Sequence, residues 1–121
     1  MTLSPALVLL YVADVARSRA FYEPLFGAPL EATDNFAMLK MGSGFRLALW
    51  NVAKVEPRAT LAPGGGELCA AVEEAEVQPL HDAWAARGVT IAQAPTQMDF
   101  GFTFVALDPD GHRLRVFHPA M

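Results

Sequence analysis

The sequence predicts an α+β protein built from two similar halves, and three observations carry the prediction. First, Phe102-Thr-Phe-Val-Ala-Leu-Asp-Pro-Asp-Gly-His-Arg-Leu-Arg-Val-Phe117 reads as two antiparallel strands about a tight turn at residues 108–111. Pro109 presets φ there, the Asp108 side chain can cap the turn, and Gly111 supplies the conformation that reverses the chain. Second, helix-length segments at residues 12–27 and 72–88 each follow an apolar strand and end in glycine before a new strand. Third, residues 53–66, with Pro57, Pro63 and the run Gly64-Gly65-Gly66, break every period and read as a linker. One domain over residues 1–121 is expected, with a first module of about 1–52 and a second of about 67–121.

In order along the chain, residues 6–12 form a nearly continuous apolar strand, and Asp14 is placed to cap the following helix. Val15, Ser18, Tyr22 and Leu25 make one helical stripe, broadened by Phe21. Pro24 is expected to kink or end that helix early, because its ring removes a hydrogen bond. Short strands are expected near residues 30–33, 36–40 and 45–50. The second half should contain a strand at 67–72, a helix from about 77 to 87 with Pro79 tolerated in its first turn, a strand at 90–92, and the closing hairpin. Eight strands and two helices result.

With 121 residues, 53% of them hydrophobic, the chain can bury a real core. The net charge is -4, lysines are few, and no basic stripe with interleaved aromatics occurs, which argues against a nucleic-acid partner. No apolar run is long enough to span a bilayer, and Met1-Thr-Leu-Ser-Pro5 lacks a positively charged leader. A soluble, cytoplasmic protein without a membrane partner is expected. Cys69 is the single cysteine, so no intrachain disulfide can form, in keeping with a reducing compartment.

Alternation along the closing hairpin turns Arg113, Arg115 and Phe117 to one side and His112, Leu114, Val116 and His118 to the other. This hairpin resembles the last strands of the vicinal oxygen chelate superfamily, which includes glyoxalase I, fosfomycin-resistance enzymes, extradiol dioxygenases and bleomycin-resistance proteins. The segment Val12-Ala-Asp-Val-Ala-Arg-Ser-Arg-Ala-Phe-Tyr-Glu-Pro-Leu-Phe-Gly27 is similar to that superfamily's opening, in which an Asp precedes a helix bearing Ser, then Phe-Tyr, and ending in Gly. The resemblance covers nearly the whole chain and implies two βαβββ modules forming a cupped mixed sheet. The same motifs occur in enzymes and in pure binders, so function has to be read from the site.

In the superfamily's metal enzymes, ligands sit on the first strand of one module and on the first and last strands of the other. Matching motifs position by position gives Leu7, Glu67 and Arg115. Leucine offers no lone pair, and a guanidinium is a permanent cation with donors only, so the resemblance implies neither a metal nor another cofactor here. Glu67 and Arg115 are expected to face each other across the space a metal would fill, paired by charge-assisted hydrogen bonds, or else to reach solvent at a strand end. No other cluster of ligating side chains is expected. His112 and His118 share a face but stand roughly 20 Å apart at about 3.3 Å per strand residue, and His81 reads as a surface or packing residue of the second helix. Cys69 shares strand parity with Glu67, has no histidine placed as its base, and is expected to be a small buried hydrophobe. Asp108 and Asp110 belong to the turn, while Asp99 either hydrogen-bonds a ligand or caps a loop.

Within the superfamily the chain resembles the phenazine antibiotic resistance proteins, on Leu47-Ala-Leu-Trp50, Gly66-Glu-Leu68 and Thr96-Gln-Met-Asp-Phe-Gly-Phe-Thr-Phe104. Relatives commonly carry Asp-Phe-Gly-Arg-Thr-Phe in the last of these, and Phe102 stands at that arginine. The resemblance implies metal-free binding and sequestration of a small planar aromatic antibiotic in a cleft between two subunits of a homodimer. The modules would pair within a chain or exchange across the linker. Flat ligands are held by aromatic faces and soft methionines, with a few polar groups fixing orientation. Tyr11, Phe36, Met38, Trp50, Met98 and Phe100, with Glu67 and Arg115, are the candidate ligand-binding residues, and no catalytic residue is identified. Taken singly, each aromatic is more often plain core than a ligand contact, except Trp50, which ends a strand just before the linker. The alternative is a metal-dependent glyoxalase, dioxygenase or thiol-transferase-type enzyme of the same superfamily.

Overall fold

A computed structural model describes residue 2, residues 5–42 and residues 44–120. The chain divides into two compact units, residues 1–64 and 65–121. Each repeats the order strand, helix, three strands. Among the described residues there are eight strands, two α-helices and one short 3-10 turn.

The first unit contains β1 (Leu7–Val12), α1 (Val15–Phe26), β2 (Pro29–Ala32), β3 (Phe36–Lys40) and β4 (Arg46–Asn51), followed by the 3-10 turn Val52–Lys54. Its sheet has the order β1-β4-β3-β2. The crossover helix makes β1 run parallel to β4, while the hairpins make β4, β3 and β2 antiparallel. Period-2 alternation sends Val12, Ala37, Leu39, Leu47 and Leu49 into the core, where they meet Val15, Ser18 and Tyr22 of α1, all buried. Full burial of a side chain such as Leu39 or Leu49 contributes roughly 1.5–3 kcal/mol. Asp14 caps α1 as expected, its Oδ1 accepting from the Arg17 N–H at 3.2 Å. Pro24 does not end the helix, which runs on to Phe26. The hydrogen bond it deletes is in the last turn, and the Gly27 N–H closes the helix on the Glu23 carbonyl at 2.7 Å.

The second unit contains β5 (Glu67–Ala71), α2 (Glu74–Ala86), β6 (Thr90–Met98), β7 (Gly101–Leu107) and β8 (Arg113–Pro119). Its sheet order, β5-β8-β7-β6, again has one parallel pair, β5 with β8. Leu114, Val116, Phe104 and Ala106 are buried on the side covered by α2, with Val77 and Trp84. The Phe104 ring receives Trp84 edge-on at 5.2 Å and His81 edge-on at 5.5 Å. His81 is therefore a packing residue, with its Nδ1 2.9 Å from Asp82.

Two elements differ from the sequence reading. Helix α2 starts about one turn earlier than expected, because Glu76 accepts from the Glu73 N–H at 3.0 Å and closes its N-terminus. Pro79 is consequently interior to α2 and not in its first turn. Strand β6 extends to Met98, well past residue 92, through Pro95. It is an edge strand whose pairing with β7 is interrupted between Gln93 and Thr96, so the missing proline donor breaks no ladder bond there. The β7–β8 turn forms as expected: Asp108 Oδ1 accepts from the backbone of Asp110 at 2.9 Å and His112 at 2.8 Å, and Gly111 has φ +87°.

Candidate functional site

The alternation that packs the second sheet against α2 puts Glu67, Cys69, Thr103, Val105, Arg113, Arg115 and Phe117 on its other face. Arg115 is the centre of that face. Its Nε donates to Glu67 Oε1 at 2.9 Å and its Nη2 to Glu67 Oε2 at 3.1 Å, a two-point fork. Its Nη1 donates to Gln93 Oε1 at 3.3 Å and to Thr103 Oγ1 at 3.2 Å. One guanidinium thus ties together β5, β8, β7 and β6. Its central carbon lies 5.4 Å from the centre of the Phe100 ring, and Phe117 meets Phe100 edge-on at 6.4 Å. Met98 joins through its sulfur, 3.4 Å from the Gln93 amide nitrogen.

This arrangement refines the expected ion pair. Glu67 and Arg115 do not confront each other across an open space. They stand on adjacent parallel strands, with Arg115 in register beside Cys69, and bond directly. Their side chains are 29% and 16% exposed, so the pair is neither fully buried nor freely solvated. The Arg115 hydrogen bonds hold the Glu67 carboxyl below its ordinary value of 4.5, with Arg113, 3.6 Å away, adding to the effect. The same pairing raises the pKa of Arg115, which stays a cation. Its Nε, Nη1 and Nη2 all donate to acceptors of the protein itself. Cys69 is exposed, not buried as expected, because β5 is an edge strand and Cys69 lies on the face away from the helix. Partial desolvation and the Glu67 charge push its thiol pKa up, so it is a poor nucleophile.

The three positions that hold metal in the superfamily's enzymes do not suit one here. Leu7 has no donor atom, both Glu67 oxygens are engaged by Arg115, and Arg115 is itself a cation. A cluster the sequence reading missed does occur: Asp108, Asp110 and His112 bring potential ligand atoms within 4.8 Å of one another. Both Asp108 oxygens are used in it, Oδ1 by backbone N–H groups and Oδ2 by His112 Nδ1 at 2.8 Å. The cluster organises the hairpin turn. His112 precedes β8 rather than lying in it, and His118 Nδ1 donates to the Val72 carbonyl at 3.1 Å.

On the first unit, Tyr11, Trp50 and Phe36 form a row across β1, β4 and β3: Tyr11 pairs with Trp50, and Trp50 with Phe36. The Phe36 and Trp50 rings meet edge-on at 6.5 Å. Met38, two residues along β3, shares their face, with its sulfur 4.0 Å from Arg46 Nη1. Tyr11 and Trp50 border an open pocket of about 300 Å³ that is also lined by Val55 and residues 56–61.

Of the eight candidate residues, Tyr11, Phe36, Met38 and Trp50 therefore lie on one sheet face of the first unit, and Glu67, Met98, Phe100 and Arg115 gather on the second. Gln93, Thr103 and Phe117 belong to the second group and were missed. Phe117 shares strand parity with Arg115, which was a usable signal; Gln93 lay beyond the expected end of its strand.

Two βαβββ units, each a four-stranded mixed sheet backed by one helix, define a protein of the vicinal oxygen chelate type. The chain belongs to the Glyoxalase/Bleomycin resistance protein/Dioxygenase superfamily, whose profile matches residues 4–116. It is 31% identical over 120 residues to the phenazine antibiotic resistance protein EhpR of Enterobacter agglomerans, covering 95% of this chain and 92% of the relative. Among solved structures it is similar to protein ATC0852 from Agrobacterium tumefaciens, at 40% identity and a TM-score of 0.87, with 99% of this chain and 100% of the other covered. A glyoxalase-related enzyme from Fulvimarina pelagi is similar at 28% identity and a TM-score of 0.83, with 97% and 88% covered. No helix among the described residues is long and apolar enough to cross a membrane.

Proposed function

We propose that this protein binds and sequesters a small planar aromatic antibiotic of the phenazine class, without a metal and without chemistry on the ligand, and so confers resistance. The observation that carries the reading is the Glu67–Arg115 fork beside Phe100, at positions where the superfamily's enzymes would need metal ligands. The likeness to EhpR supports the ligand class. Tyr11, Phe36, Met38 and Trp50 supply ring faces and a soft edge on one unit. Met98 and Phe100 do so on the other, above the polar floor of Glu67 and Arg115. Calorimetric titration with phenazine tests the reading. Saturable heat supports it, and no heat with unchanged tryptophan fluorescence refutes the ligand class.

The same proposal takes the chain as one cytoplasmic domain that works as a homodimer. Each sheet carries a helix on one side only, and Tyr11, Met98 and Phe100 expose over a third of their surface on the other. Such faces require covering, by the other unit or by a second copy. Sedimentation at micromolar concentration should give a dimer, and monomer alone would count against it.

A further inference from the structure

We propose that Arg115 is a positioning residue for Phe100: it acts on an aromatic ligand through that ring and does not contact the ligand's charged groups. This deepens the reading above and rests on it for the identity of the ligand. Phe100 occupies the short turn between β6 and β7, where an aromatic side chain would ordinarily sample several rotamers. Phe100 is 41% exposed, yet its ring has two partners, the Arg115 guanidinium at 5.4 Å and Phe117, edge-on, at 6.4 Å. Its backbone is fixed too, since the Phe100 carbonyl accepts from the Ala120 N–H at 2.9 Å.

The guanidinium is held in turn by Glu67, Gln93 and Thr103, one residue from each of the other strands. Thr103 is itself fully buried and tied to the Val116 carbonyl at 2.9 Å, which anchors the far end of the network. The cation is thereby locked in plane and presents a fixed surface to Phe100. A lysine, as a point charge without a planar fork, cannot hold all these acceptors and the ring together. An ordered exposed aromatic wall recognises a ring by its face, so a ligand carboxylate should bring no affinity through Arg115.

The test is a double-mutant cycle of Arg115→Lys and Phe100→Leu, read in phenazine and in phenazine carboxylate affinity, in the urea midpoint, and in the aromatic ¹³C–¹H signals of Phe100. Arg115→Lys should weaken both ligands alike, by about five-fold. It should average the Phe100 signals and cost no further ligand affinity in the Phe100→Leu background. A loss confined to the carboxylate, or additive losses with unmoved Phe100 signals, would overturn the proposal. If wild-type protein binds neither compound, the functional reading falls. The positioning role then stands or falls on the Phe100 signals and on the coupling in the urea midpoint.

Discussion

Glu67 and Arg115, 48 residues apart in sequence, are joined by two hydrogen bonds of 2.9 and 3.1 Å, each using a different carboxylate oxygen and a different guanidinium nitrogen. The folded Glu67 pKa lies below its ordinary 4.5, so the pair's contribution is fully present above pH 4.5 and is lost as pH falls through the lowered value. Both side chains retain some solvent contact, which limits that contribution to about 1 kcal/mol. Glu67→Gln should therefore be less stable than wild type by about that amount at pH 7. The gap should close well below pH 4.5, as measured by urea unfolding at the two pH values. An equal gap at both would mean the effect is packing and not charge.

Metal content is a second expectation. With Leu7 unable to donate and Glu67 already forked by Arg115, purified protein dialysed against chelator and then against zinc, manganese, nickel or iron should retain no stoichiometric ion. Elemental analysis finding close to one equivalent per chain would revive the enzymatic alternative.

Gly101 governs the turn that presents Phe100. Its φ is +146°, and a Cβ there would lie 2.0 Å from the His118 carbonyl oxygen, a backbone atom with no room to yield. Gly101→Ala should destabilise the protein by about 3 kcal/mol or more, through strain and through separation of β7 from β8. Thermal or urea unfolding checks it; a change within experimental scatter would mean that this corner relaxes freely.

Much of the fold was legible because its signals are local. Alternation located β3, β4 and β8, the Asp-Pro-Asp-Gly turn fixed the closing hairpin, and Asp14 marked a helix start. The α2 start was illegible because its N-cap is Glu73, a residue type seldom used there, and a proline within the helix invited a later beginning. The full length of β6 was hidden by Pro95, which only an edge strand tolerates. At the site, matching motifs named Glu67 and Arg115, but Arg115's further acceptor Gln93 comes from a strand whose register no local pattern sets. Cys69 was misjudged for a similar reason: parity gave its face, while exposure depends on β5 being an edge.

The last prediction concerns Trp50, which borders the pocket beside Tyr11 and whose ring meets Phe36 edge-on. Stacking of a flat ligand on an aromatic side chain contributes about 0.5–1.5 kcal/mol beyond the area it buries. Adding the buried area lost on truncation, Trp50→Ala should weaken phenazine binding by roughly ten-fold or more, whereas Trp50→Phe should weaken it less. The other tryptophan, Trp84, is buried against Phe104 and serves as an internal reference. Quenching on titration should therefore come from Trp50 and vanish in Trp50→Ala. Undiminished quenching in that variant, with unchanged affinity by calorimetry, would place the ligand away from the Tyr11–Trp50–Phe36 row.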